Sequence, residues 1–153
     1  MDSAVLSPLH RAIRQISLYL GAAVEPFGVR AEEGHLLTYL RKYAPCPVGE
    51  VARVFGMRGS TLTSVLDRLE RSGLLLRESH PRDRRSILVR LTAHGEKVAA
   101  DIQKIADRFE RRVRARLHAR DRAGFDAVLG AIADITRVDV RPKSPQPAKE
   151  PTS

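Results

Sequence analysis

The apolar residues in the first part of the chain recur at intervals of three and four, which predicts amphipathic helices. The first helix carries six of them on one face: Leu6, Leu9, Ile13, Ile16, Leu20 and Val24. Pro26 and Gly28 end this helix, and a shorter helix follows over residues 32–43. The second helix directs three leucines inward: Leu36, Leu37 and Leu40.

After a break at Pro45 and Pro47, the pattern predicts a helix, a tight turn and a second helix. The first of these helices covers residues 48–55, and residues 56–59 form the turn. Ser60 is the predicted N-cap of the second helix. Four residues form the apolar face of that helix: Leu62, Val65, Leu66 and Leu69. The helix runs to Ser72, where Gly73 suits the C′ position that closes it.

The periodicity then changes from helix to strand. Residues 74–78 and 86–91 are rich in Leu, Ile and Val and predict two short strands. Residues 80–85 between them are polar, contain Pro81 and carry three arginines. This segment therefore predicts a β-hairpin with a basic tip.

Two more helices complete the pattern. Thr92 is the predicted cap of a long helix whose apolar stripe is too long for a small monomeric core to cover: Val98, Ile102, Ile105, Phe109, Val113 and Leu117. Asp121 is the predicted cap of a last helix with five apolar residues: Phe125, Val128, Leu129, Ile132 and Ile135. From Arg141 the chain is rich in Pro, Ser and Lys, which predicts disorder.

Composition and charge narrow the class of protein. The chain has 153 residues with 42% hydrophobic and 29% charged residues, which is typical of a folded domain. The formal net charge is +9 and comes mostly from arginine, which indicates a polyanionic partner. The single cysteine excludes an intrachain disulfide. No signal peptide or membrane-spanning run is recognisable, so we expect a cytoplasmic protein without a cofactor.

The order of elements suits a protein that binds double-stranded DNA. A helix-turn-helix lays its second helix in the major groove, where hydroxyl residues and arginines contact phosphates and bases. Arginines on a wing suit the negative potential of a narrow minor groove. The candidate DNA-binding residues are Arg58, Ser60, Thr61, Thr63, Ser64, Arg68, Arg82, Arg84 and Arg85. Helix capping remains the alternative for the hydroxyls, and a solvated loop for the wing arginines, among which Asp83 is predicted to pair with Arg85.

Three segments resemble the MarR family of bacterial regulators: residues 60–73 (STLTSVLDRLERSG), 83–86 (DRRS) and 91–95 (LTAHG). The resemblance extends over roughly residues 5–138. It implies a mainly α fold with a small β-hairpin wing, in which the first helix and the last two form a dimerisation region. The wing arginine of the family falls on Arg85.

The resemblance divides the chain into four parts. Residues 1–45 would hold the N-terminal helices, residues 46–91 the winged helix-turn-helix, residues 92–138 the dimerisation helices and residues 139–153 a disordered tail. The implied function is that of a repressor that binds a palindromic operator as a homodimer and responds to a ligand. The arginine-rich stretch 108–122 is either a solvated helix face or a flanking phosphate contact.

The family also suggests two kinds of regulatory site. Small aromatic carboxylates often bind its members between the dimerisation helices and the DNA-binding lobe, and five residues here are candidates: His10, Arg14, His35, Tyr39 and Tyr43. Some members respond to cysteine oxidation, so Cys46 is either a redox sensor or a small packed side chain. A sensor thiol would be exposed, with a lowered pKa.

Other classes of function are less well supported by the residues. No phosphate-binding glycine loop, metalloprotease motif or nucleophile elbow is present, so we expect no enzyme. The five histidines are scattered, and no metal site is predicted. Two binding functions remain as alternatives: an architectural protein that binds DNA without sequence preference, and a winged helix that binds protein.

Overall fold

The fold was analysed on a computed structural model, which describes residues 4–143. As predicted, it is mainly α-helical with a small antiparallel sheet. The elements in chain order are α1 Leu6–Val24, a 3-10 turn Glu25–Phe27, α2 Ala31–Tyr43, β1 Cys46–Pro47, α3 Val48–Phe55, α4 Gly59–Arg71, β2 Leu75–Ser79, β3 Ile87–Leu91, α5 Ala93–Arg114 and α6 Ala119–Thr136. None of the helices in residues 4–143 is long and apolar enough to cross a membrane.

The sheet is larger than the predicted hairpin by one short strand. Its order is β1–β3–β2, and both pairs of neighbours are antiparallel. In β1, Cys46 pairs with Val89, and Pro47 pairs with Leu88. The sequence did not predict this strand, because two residues beside prolines show no alternating pattern.

The hydrophobic core joins α2, the helix-turn-helix, the sheet and the first half of α5. Its most completely buried apolar side chains are Leu36, Leu37, Leu40, Val51, Leu62, Leu66, Leu69, Leu75 and Val89. The apolar faces predicted for α2 and α4 are therefore confirmed. Burial of these faces fixes the rotation of α4 about its axis, so that its opposite face is turned to solvent.

The start of α5 is tied to the end of α4. Gly73 adopts φ +71°, as a C′ glycine does, and closes α4. The Thr92 hydroxyl donates to the carbonyl of Gly73 at 2.6 Å and accepts from the N–H of Gly95 at 2.9 Å. The predicted N-cap role of Thr92 is thus confirmed, and the same side chain fastens α5 to the DNA-binding lobe.

The predicted cap of the last helix is wrong by three residues. The N-cap of α6 is His118, and Asp121 lies in the first turn. The Asp121 carboxylate accepts the backbone N–H of His118 at 2.7 Å, so it contributes to the capping box from inside the helix.

The two terminal helices keep apolar faces that the described chain leaves uncovered. On α6 every described residue except Ile132 is exposed. The exposed large apolar side chains of α1 and α6 include Leu6, Ile13, Ile16, Phe125, Val128, Leu129 and Ile135. An apolar face of this extent is typical of an interaction surface.

The beginning of the predicted tail contacts α3. The Arg53 guanidinium donates to the carbonyls of Asp139 at 2.6 Å and Arg141 at 2.7 Å. It also pairs with Glu50 at 2.7 Å, and this bond lowers the pKa of the Glu50 carboxyl. Residues 139–143 thus lie beside the helix-turn-helix. The remaining part of the predicted tail, 144–153, lies outside the described residues.

Candidate nucleic-acid interface

The first turns of α4 present the predicted hydroxyl residues to solvent. Ser60, Thr61, Thr63 and Ser64 are all exposed. The Thr63 hydroxyl donates to the carbonyl of Gly59 at 2.8 Å, and Ser64 donates to that of Ser60 at 3.2 Å. Both oxygens keep lone pairs that can accept bonds, and either hydroxyl can rotate toward a phosphate or a base edge.

The start of α4 differs from the prediction by one residue. The helix begins at Gly59, and its N-cap is Arg58, which makes no side-chain capping bond. The prediction that Ser60 is the N-cap is therefore wrong, because Ser60 lies within the first turn. This arrangement places the exposed Arg58 at the N-terminal tip of the helix, the end that enters a major groove in helix-turn-helix proteins.

The wing loop between β2 and β3 exposes three arginines: Arg82, Arg84 and Arg85. Asp83 shapes this loop, because its carboxylate accepts the backbone N–H of Arg85 at 3.0 Å and its carbonyl accepts that of Ser86 at 3.0 Å. Asp83 was predicted to pair with Arg85, but the bond is to the backbone rather than to the guanidinium. The wing guanidiniums are consequently free to project outward.

An ion-pair cluster that the sequence did not predict joins the wing to α4. The Arg77 guanidinium on β2 contacts Asp67 at 2.5 Å and Glu70 at 2.6 Å, both on α4. The hydrogen bonds that Arg77 donates to Glu70 lower the pKa of that carboxyl group. The cluster fixes the hairpin against the recognition helix and neutralises acidic groups that would otherwise repel DNA. The position of Arg77 in the middle of a predicted strand was the one signal in the sequence that could have revealed this ion-pair cluster.

Arg68 has a different environment from the other predicted DNA-binding residues. Its guanidinium donates to the carboxylate of Glu33 on α2, which is 1% exposed. The Nε atom of Arg68 is buried without a hydrogen-bond partner among the described residues. Arg68 therefore faces α2, whereas Arg58 and the wing arginines face solvent.

The five predicted ligand-binding residues do not converge on one cavity. A cavity of about 370 Å³ between α1, α2 and α5 is bordered by His35 but by none of the other four. His10 and Arg14 are exposed on α1, and the rings of Tyr39 and Tyr43 stack with centroids 4.8 Å apart. His10 and Arg14 are four residues apart, so the helical period places both on the same outward side of α1.

The lining of this cavity is mainly apolar. It consists of Ile16, Ser17, Leu20, Val24, Ala31, Glu32, Gly34, His35, Thr38, Ile102, Ile105 and Ala106. Partial desolvation lowers the pKa of His35 below its ordinary value, which favours the neutral imidazole. Glu32 is thus the charged group of the lining, and neither Arg nor Lys contributes to it.

Cys46 lies in the core rather than at the surface. Its side chain is 5% exposed, and burial raises the pKa of the thiol to about 11. Both properties favour a packed thiol and disfavour the reactive thiolate that a sensor requires. Within residues 4–143, no group of three or more His, Cys, Asp or Glu side chains is placed to hold a metal ion.

The helix-turn-helix and the wing coincide with a known family pattern. The family model described as "MarR family" matches residues 30–87, which extend from α2 to the start of β3. Over these residues the chain is similar to the MarR family. The relatives that match this chain are described as HTH-type regulators of transcription.

The similarity to individual relatives is moderate. The HTH-type transcriptional regulator BilQ of Clostridioides difficile is 25% identical over 101 residues, which cover 66% of this chain and 68% of the relative. Two uncharacterised HTH-type regulators of Bacillus subtilis are 36% and 32% identical. The matches span 39% and 47% of their respective lengths, so the function of these whole proteins does not transfer directly.

Solved structures show the same fold. The structure of an S. aureus MepR–DNA complex superposes with a TM-score of 0.79 at 24% identity, covering 87% of this chain and 99% of that chain. An E. coli MarR variant complexed with operator DNA has a TM-score of 0.69 at 25% identity, covering 82% and 93%. The winged-helix architecture and the flanking helices are therefore those of the MarR fold.

Proposed function

We propose that this chain is a DNA-binding regulator of transcription that represses promoters as a homodimer on a palindromic operator. The observation that carries the proposal is the exposed surface formed by the first turns of α4 and the wing loop, which the Arg77 cluster holds together. Two solved structures of the same fold are complexes with DNA. The uncovered apolar faces of α1 and α6 support the homodimer.

Selection of bound sequences from random DNA, followed by footprinting, tests this function. A homodimeric repressor will enrich a palindrome whose half-sites lie about 10–10.5 base pairs apart, or a multiple of that spacing. Its affinity for the palindrome will exceed that for random DNA by at least about 10³-fold. Equal affinity for all sequences would instead support the architectural alternative.

The wing arginines provide a first prediction. Arg85→Ala removes an exposed guanidinium that is free to enter the minor groove. We expect a loss of about 1–3 kcal/mol in operator binding, with an unchanged melting temperature. Fluorescence anisotropy with the selected duplex measures the affinity. The control is Lys97→Ala on α5, which removes one exposed positive charge outside the winged helix. A loss as large as that of Arg85→Ala would indicate a nonspecific charge effect.

The cavity also indicates the class of effector. The aromatic carboxylate suggested by the family would find no cationic side chain in the lining and would be repelled by Glu32. We therefore propose an apolar effector with a neutral or cationic polar group. Bound between α1, α2 and α5, it would alter the spacing of the two recognition helices and release the operator.

Displacement of labelled operator by a panel of aromatic amines, phenols and aryl carboxylates tests this second prediction. Amines and phenols will displace DNA at lower concentrations than carboxylates, and Glu32→Gln will remove the preference for amines. Glu25→Gln, which removes an exposed carboxylate outside the cavity lining, serves as the control. Carboxylates that displace DNA best would show that the assigned effector class is wrong.

A further inference from the structure

The only charged side chain buried among residues 4–143 belongs to Glu33, in the first turn of α2. One carboxylate oxygen accepts the backbone N–H of Arg30 at 2.9 Å and caps the helix. The other oxygen accepts from the Arg68 guanidinium on α4. A buried carboxylate without partners is strongly destabilising, so both bonds stabilise the Glu33 side chain in this position.

Arg68 lies at the border between two faces of α4. It follows Ser64 by one turn and Thr61 by two, and both of these residues are exposed. Leu69, next to Arg68 in the sequence, belongs to the buried face. The helical period alone therefore directs Arg68 toward DNA, whereas the bond to Glu33 turns its side chain toward α2.

The two kinds of contact that hold α4 differ in their directionality. Leu62, Leu66 and Leu69 bury α4 in the core, but apolar contacts tolerate small rotations and shifts of a helix. A charge-assisted hydrogen bond restricts both distance and angle. The Glu33–Arg68 bond can therefore set the orientation of α4 more narrowly than its apolar face does.

We propose that Arg68 is a positioning residue for DNA recognition and does not bind DNA itself. Paired with Glu33, it fixes α4 on α2 and thereby determines how Ser60, Thr61 and Ser64 meet the base edges. The inference rests on the proposed DNA-binding function. Glu33, which DNA cannot reach, therefore affects sequence recognition through its bond to Arg68.

The test uses the full-length chain, the selected operator and random DNA, with affinities measured between 50 and 200 mM salt. Arg68→Gln and Glu33→Gln will each weaken operator binding by about tenfold and leave binding to random DNA unchanged. The slope of log Kd against log salt will stay that of the parent protein. Because the two residues act as one unit, the double variant Glu33→Gln/Arg68→Gln will bind the operator about as weakly as either single variant.

A phosphate contact by Arg68 would give a different result. Arg68→Gln would then lower the salt slope by about 0.9, and Glu33→Gln, which frees the guanidinium, would leave operator binding unchanged or strengthen it. Either observation would overturn the proposal. Arg84→Gln on the exposed wing is the matched control, because it should lower the slope and so show that the measurement detects one lost contact.

Folding of the variants is controlled by thermal melting. The double variant Glu33→Gln/Arg68→Met removes both charges together, which folded proteins often tolerate. If it is folded and binds the operator as tightly as the parent protein, the pair has no positioning role. If the parent protein itself selects no sequence, the proposed function fails instead, so the two failures are distinguishable.

Discussion

Replacing Phe125 and Leu129 with glutamate will convert the proposed homodimer to a monomer and abolish tight operator binding. Both side chains are exposed on α6, at 56% and 41%, and share its apolar face. Burial of one such side chain stabilises an interface by about 1.5–3 kcal/mol. In a twofold dimer each substitution acts twice, so we expect the dimer dissociation constant to rise by more than about 1000-fold.

Analytical ultracentrifugation gives the oligomeric state of this variant, and anisotropy gives its affinity for the operator. A monomer engages one half-site, so the affinity will fall toward that for random DNA. The matched control is Ala123→Glu/Ala127→Glu, which places the same two charges on the opposite side of α6. A Phe125/Leu129 variant that remains dimeric would exclude this face from the interface.

The second large effect concerns the junction between α4 and α5. Gly95→Ala will destabilise the fold, because a Cβ at this position would lie 1.8 Å from the carbonyl oxygen of Leu74. The same carbonyl accepts the N–H of Thr92 at 3.2 Å, which limits how far it can move. We expect a loss of about 3 kcal/mol or more in the free energy of unfolding.

Thermal denaturation followed by circular dichroism checks this expectation, with a decrease in melting temperature of about 10 °C. Gly130→Ala on α6 is the control, since a Cβ there has no described heavy atom within 4 Å. It should leave stability unchanged or raise it by about 0.5–1 kcal/mol, as glycine replacement within a helix does. Similar melting temperatures for Gly95→Ala and the parent protein would show that the backbone at Leu74 adjusts freely.

The local pattern of apolar and turn residues was sufficient to predict most helices and strands of the winged helix. The period of Leu62, Leu66 and Leu69 predicted α4 and its buried face, and Gly73 marked the end of that helix. Residues that cap helices were predicted less accurately. Thr92 was predicted correctly, but Ser60 and Asp121 lie inside their helices, because a polar residue in the first turn resembles an N-cap in sequence.

The sequence predicted which residues form the candidate DNA interface, but it did not predict the ion pairs between them and their neighbours. The exposed hydroxyls of α4 and the wing arginines lie where the motif indicates. Arg68 differs, since its partner Glu33 is 35 positions away and on another helix. Arg77 likewise pairs with Asp67 and Glu70 only because β2 lies against α4.

The sequence by itself determined the order of the helices and of the two wing strands, the basic wing and the resemblance to a DNA-binding family. These properties depend on period, turn residues and charge, which act over a few neighbouring positions. Only the tertiary structure decided which polar side chains are available to bind DNA or a ligand. The bond between Glu33 and Arg68 turns Arg68 toward α2, the core encloses Cys46, and Glu32 is the charged residue of the cavity lining. Such outcomes depend on segments that are distant in sequence and meet only in the folded chain.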